Sequence, residues 1–155
     1  MKRINQVAKI TFNGRPILPG DLEGSATVSR IGFNTLSTYK SVMVKGVRDK
    51  AICTDGDNKD LYNKDLNGAI LCLPQTIGST TGGFVLMGVA EVGLAPKAML
   101  FANHVDSLAL GGLLMADIWM DKRIVTIDLL GHKFLDAVST GDPIKVYEDG
   151  TVEIG

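Results

Sequence analysis

The stretch best equipped for chemistry is residues 71–90, LCLPQTIGSTTGGFVLMGVA. Residues 69–73 make an apolar run of strand length, Pro74 ends it, and from Thr81 onward apolar residues recur at helical spacing. Strand, loop and helix in that order put Gly78, Ser79, Thr80 and Thr81 at a helix N-terminus. Unpaired N–H groups and a partial positive charge at such a terminus can hold an anion or lower the cost of a serine alkoxide. Serine and threonine are also good N-caps, so position alone leaves catalysis and capping both open.

Other reactive residue types are sparse. The only histidines are His104, at an expected helix start, and His132, in a loop after Gly131; both read as surface or capping residues. No serine–histidine–carboxylate spacing, P-loop or GxGxxG is present. Asp55-Gly56-Asp57-Asn58 imitates the start of a calcium loop. It has glycine at the second position and no glutamate at the twelfth, so turn chemistry is the expectation and no metal site is expected on this chain. Cys53 and Cys72 lie outside any CxxC spacing. Two isolated cysteines are too few for an iron–sulfur cluster, which takes about four such ligands, so a cluster would have to belong to a partner. Gly32-Phe33-Asn34-Thr35-Leu36-Ser37-Thr38-Tyr39 is rich in hydroxyls and reads as a loop or a short helix. Phe33 and Asn34 are its candidates for substrate contact.

The elements that must position these residues are β-rich at the ends and α/β in the middle. Residues 7–12 alternate as a strand, with turns expected at Asn13-Gly14-Arg15-Pro16 and Pro19-Gly20, and residues 26–29 form a second short strand. Residues 51–53 start another, followed by a polar run. From residue 69 the pattern is strand 69–73, helix 81–92, strand 97–101, helix 105–116 opened by Asn103 or His104, and strand 124–127. This predicts two βαβ units with a parallel sheet. A helical turn at 135–138 and a hairpin of 144–146 with 151–154 close the chain.

Composition narrows the partners. The 155 residues suit one domain, residues 1–155, with a net charge of −1 and no long run of like charge, so neither a nucleic-acid nor a membrane footprint is expected. Apolar stretches are broken by Glu91 and Asp117, and residues 1–9 lack an apolar signal core. A cytoplasmic protein is expected.

Several segments, in order, carry a resemblance across nearly the whole chain. They are Leu18-Pro19-Gly20 through Gly24-Ser25-Ala26, Lys64-Asp65-Leu66-Asn67-Gly68, Leu73-Pro74 with Gly78-Ser79-Thr80-Thr81-Gly82, and Gly93-Leu94-Ala95-Pro96-Lys97-Ala98. Thr140-Gly141-Asp142 and Asp149-Gly150-Thr151-Val152 complete the set. In this order they resemble the swivel domain of the aconitase superfamily, and more narrowly the small subunit of aconitase X. The resemblance implies an α/β fold of the swivelling β/β/α type. It also implies a large-subunit partner carrying the iron–sulfur cluster, and a hydro-lyase that is inactive without that partner.

In aconitases a serine following glycine on this domain takes the substrate's proton, and Ser79 matches that position. The family divides into cis-3-hydroxy-L-proline dehydratases and mevalonate 5-phosphate dehydratases. Archaeal small subunits carry a Gly-Gly-Val-Asp-Pro type segment where this chain has Gly32-Phe33-Asn34-Thr35-Leu36, which favours the hydroxyproline branch. Serine is too weak an acid to be a base unaided, so the resemblance requires the helix N-terminus and neighbouring N–H groups to stabilise its alkoxide. Gly78, Thr80 and Thr81 would then contact the substrate, a small hydroxy acid. A swivelling module that binds a partner or small anion without catalysis is the alternative.

Overall fold

A single glycine, Gly14, separates the first two strands, β1 (Ile10–Asn13) and β2 (Arg15–Leu18), yet these lie on opposite edges of one sheet. The computed structural model describes residues 8–155. Within them follow β3 (Leu22–Val28), β4 (Phe33–Asn34), α1 (Thr35–Thr38), α2 (Lys40–Met43), β5 (Ile70–Leu73), β6 (Thr76–Ile77), α3 (Gly82–Glu91), β7 (Ala98–Phe101), α4 (Ser107–Met120), β8 (Val125–Asp128), α5 (His132–Ala137), β9 (Pro143–Val146) and β10 (Thr151–Ile154). The main sheet runs β1-β10-β9-β3-β5-β7-β8-β2, and β4 pairs with β6. Since one residue joins β1 to β2, the two edges must meet there and the sheet is rolled. Gly14 N–H donates to Gly150 O at 2.9 Å. A Cβ on Gly14 would lie 2.5 Å from Asp128 O, so only glycine fits this crossing.

The centre is parallel: β3 pairs with β5, β5 with β7 and β7 with β8. β5, β7 and β8 are buried at all four positions, which is why β5 and β7 read as continuous apolar runs, while β8 also buries Thr126 and Asp128. Their side chains nevertheless divide by parity. Leu71, Leu73, Met99 and Phe101 join the core under α3 and α4. Ile70, Cys72, Ala98, Leu100 and Ile127 join the core that holds Phe134 and Leu135 of α5. Helices α3 and α4 touch through glycines: a Cβ on Gly112 would run into the Gly83 carbonyl, and one on Gly83 into the Leu108 carbonyl.

The expected β-rich ends are present, with differences. The first strand is Ile10–Asn13; residue 7, where it was expected to start, lies outside the described residues, as do the other residues up to it. Arg15 and Pro16, read as part of a turn, instead open edge strand β2, which pairs with β8 with a register shift between Pro16 and Leu18. An edge strand tolerates the missing proline N–H. β3 starts at Leu22 rather than residue 26, because residues 22–25 pair antiparallel with β9 before residues 26–28 pair parallel with β5. Residues 51–53 form no strand beyond an isolated bridge of Ile52 to Asp65. The polar run after them follows turn chemistry: Asp55 accepts from Asp57 N–H and Asp65 from Asn67 N–H. The closing hairpin pairs Val152 with Val146 and Ile154 with Ile144. Among the described residues no helix is long and apolar enough to cross a membrane.

Candidate active site

β5 ends at Leu73, and β6 then carries the chain to Ser79 at the C-terminal edge of the parallel strands, where α/β sheets hold their ligands. Ser79 is exposed. Its Oγ accepts from Thr81 N–H at 3.1 Å and lies 2.8 Å from Thr81 Oγ1, while Ser79 O accepts from Gly82 N–H at 3.1 Å. Thr81 is the N-cap residue of α3, and its side chain makes no capping hydrogen bond. Ser79 thus sits two residues before the cap, with its hydroxyl in a tight turn ahead of the helix, and Thr80 is exposed beside it.

The hydroxyl-rich segment is drawn to the same place. β4 runs parallel to β6, pairing Phe33 with Thr76 and Asn34 with Ile77, so the segment is both a short strand and a short helix. Asn34 caps α1 by accepting from Ser37 N–H at 3.1 Å. Gly78 has φ +98°, and a Cβ there would lie 2.7 Å from Asn34 Nδ2, so Asn34 and the serine loop lie against each other. Phe33 does not face the site, correcting its assignment as a substrate contact. It is fully buried and packs edge-on against Tyr39 at 6.0 Å, because pairing with β6 turns its side chain inward.

A cleft of about 180 Å³ opens at this point, lined by Thr35, Thr76, Ser79, Gly82, Asp106 and Leu108 among others. Asp106, rather than Asn103 or His104, starts α4. Its Oδ1 accepts from Leu108 N–H and Ala109 N–H, each at 2.9 Å. Its Oδ2 accepts from Thr76 Oγ1, tying α4 to the strand that leads to Ser79. Asn103 and Val105 are held off the helix because their N–H groups donate to Pro74 O and Asp128 Oδ2. Neither Thr35 nor Asp106 stood out in sequence, although the hydroxyl run around Thr35 was a usable signal. His104 is exposed and its Nδ1 lies 3.3 Å from Val105 O; His132 opens α5, and neither lines the cleft.

The profile of the aconitase X swivel domain matches residues 11–154. The chain belongs to this family. Among curated relatives of the swivel domain, the phosphomevalonate dehydratase small subunit of Archaeoglobus fulgidus is 30% identical over 144 residues, covering 92% of this chain and 97% of that one. The phosphomevalonate dehydratase small subunit of Methanocaldococcus jannaschii is 32% identical, covering 87% and 89%. The crystal structure of Thermococcus kodakaraensis aconitase X superposes with a TM-score of 0.77 at 26% identity, covering 94% of this chain and 98% of that one.

The cysteines of this swivel domain do not suit the iron–sulfur cluster that the family implies. Cys53 and Cys72 are both fully buried and belong to different cores, and among the described residues no three His, Cys, Asp or Glu side chains gather. Burial raises both thiols, Cys72 to about 12, which opposes the thiolate a cluster needs.

The Asp106 contacts predict a stability effect. Asp106→Ala removes the cap of α4 and its tie to Thr76, and is expected to cost about 1–2 kcal/mol. Asp106→Asn keeps a capping oxygen and is expected to cost a small part of that, both measured by urea denaturation.

Proposed function

We propose that this chain is the small subunit of an aconitase X dehydratase and that Ser79 is the base that removes the substrate's proton. The observation that carries this is the location of Ser79: exposed, in a cleft at the C-terminal strand edge, with its Oγ facing a donor N–H just ahead of α3. Dehydration of a 3-hydroxy acid removes the proton beside the carboxylate and expels hydroxide from the next carbon. Ser79 Oγ can take that proton as an alkoxide held by the Thr81 N–H, the Thr81 hydroxyl and the positive end of α3. The cluster implied by the family is assigned to the large subunit, since the cysteines here do not suit it. We assign the pair to the cytoplasm.

The substrate reading supported best is mevalonate 5-phosphate. The relatives above carry the name phosphomevalonate dehydratase small subunit, which outweighs the hydroxyproline expectation drawn from residues 32–36. That segment remains the one feature favouring cis-3-hydroxy-L-proline. The test is to combine the chain with its large subunit and assay both compounds. Turnover of mevalonate 5-phosphate only in the combined sample is the expected result, with none from either chain alone. Turnover of hydroxyproline alone would reverse the substrate assignment, and assembly without turnover of either would leave a non-catalytic binding module.

A further inference from the structure

Two hydroxyls deep in the core have no protein partner. Thr38 and Tyr39 expose no surface, and among the described residues no side-chain or backbone group pairs with Thr38 Oγ1 or Tyr39 OH. Tyr39 is the residue at which α1 hands over to α2, and its ring packs edge-on against Phe33. The surroundings are apolar, with Phe33, Val42, Ala51, Leu61 and Leu66 in the same core. A hydroxyl left unpaired in such a place loses its hydration and gains nothing in return, so it calls for a partner.

The polar groups of the adjoining segments are engaged elsewhere. Ser37 O and Thr38 O accept from Thr54 Oγ1 at 2.6 and 3.2 Å. Thr38 O also accepts from Thr54 N–H at 3.0 Å, and Ile52 O from Ser41 Oγ at 3.1 Å. Cys53, fully buried in the same core, brings its thiol close to both hydroxyls, but sulfur is a weak acceptor and this one already takes the Asp55 N–H. Burial raises the Tyr39 phenol above its ordinary range, and it raises the Cys53 thiol as well. All three groups are therefore uncharged at neutral pH. They suit a neutral molecule that both accepts and donates, and their enclosure limits that molecule to the size of water.

We infer that one buried water molecule bridges Thr38 Oγ1 and Tyr39 OH beside the Cys53 thiol. Its two lone pairs accept the two hydroxyl protons, and one of its own protons is donated to Cys53 Sγ. Three hydrogen bonds are the usual number for an internal water, and such a bridge is nearly as favourable as a direct contact. The water ties the end of α1 to the chain at Cys53. Because Asn34, the cap at the start of α1, lies against Gly78, the same water steadies the element that borders the serine loop. The inference is independent of the dehydratase reading and stands or falls without it.

The experiment compares the full chain with Tyr39→Phe, Thr38→Val and the double variant by urea denaturation, and follows Overhauser transfer from water to the side chains. With the water bound, Tyr39→Phe removes a satisfied hydroxyl, and the unfolding constant is expected to rise about threefold to tenfold. Thr38→Val should raise it similarly. Each single change leaves the water with fewer partners, so the rise in the double variant should fall well short of the product of the two. The Thr38 methyl protons should receive magnetisation from water in the parent chain and lose it in Tyr39→Phe. An unfolding constant that falls or stays level in Tyr39→Phe would overturn the site, because removing a hydroxyl that is buried without a partner is neutral or stabilising. Effects that multiply in full would overturn the shared water. A Thr38 methyl that receives no transfer, or keeps it in Tyr39→Phe, would overturn it as well.

Discussion

Ser79→Ala in the assembled enzyme is expected to lower kcat by about two orders of magnitude or more, the scale for losing a general base. Stability should change little, for a structural reason. The Ser79 hydroxyl is exposed and accepts from Thr81 N–H ahead of the helix, not from the first N–H groups within α3. A capping role would instead cost about 1 kcal/mol and leave turnover intact. Ser79→Thr sharpens the comparison: it keeps a hydroxyl, but the β-branch restricts χ1 and crowds the cleft. Steady-state kinetics beside thermal melting, with assembly checked by gel filtration, reads both quantities. Near-normal kcat in Ser79→Ala would leave the binding module as the better description.

The second large effect lies in the contact between α3 and α4. Gly112→Ala would press a methyl group into the Gly83 carbonyl. Backbone cannot rotate aside as a side chain can, so α4 must move away from α3. Overpacking of this kind costs about 1–3 kcal/mol and sometimes more, against a gain of up to about 1 kcal/mol from better helix propensity. A net loss of about 2 kcal/mol is expected. Gly111 is the internal control: it precedes Gly112 in the same helix, and a Cβ there meets nothing within 4 Å. Gly111→Ala should stabilise by about 0.5–1 kcal/mol. Opposite signs in urea denaturation would confirm the contact, whereas equal effects would contradict it. Because Gly82 of α3 and Leu108 of α4 line one cleft with Ser79, Gly112→Ala should also lower turnover.

What the sequence by itself determined was the βαβ centre and the place of the serine. Continuous apolar runs of strand length, punctuated by Pro74 and followed by helical spacing, are local signals, and residues 70–73 and 98–101 need cover on both faces wherever they lie. The closing hairpin was legible for the same reason, since its buried residues alternate on both strands. Tertiary structure decided what local pattern cannot encode. Whether Arg15 and Pro16 are turn or strand depends on a partner, β8, more than a hundred residues away. Phe33 resembled a site residue until its pairing with β6 sent it inward, and the same pairing put Asn34 against Gly78. Asp106 displaced Asn103 and His104 as the start of α4 because distant groups at Pro74 and Asp128 had already claimed the amides before it. Thr35 and Ser79 are separated by more than forty residues, and only the parallel joining of β4 to β6 brings them to one cleft.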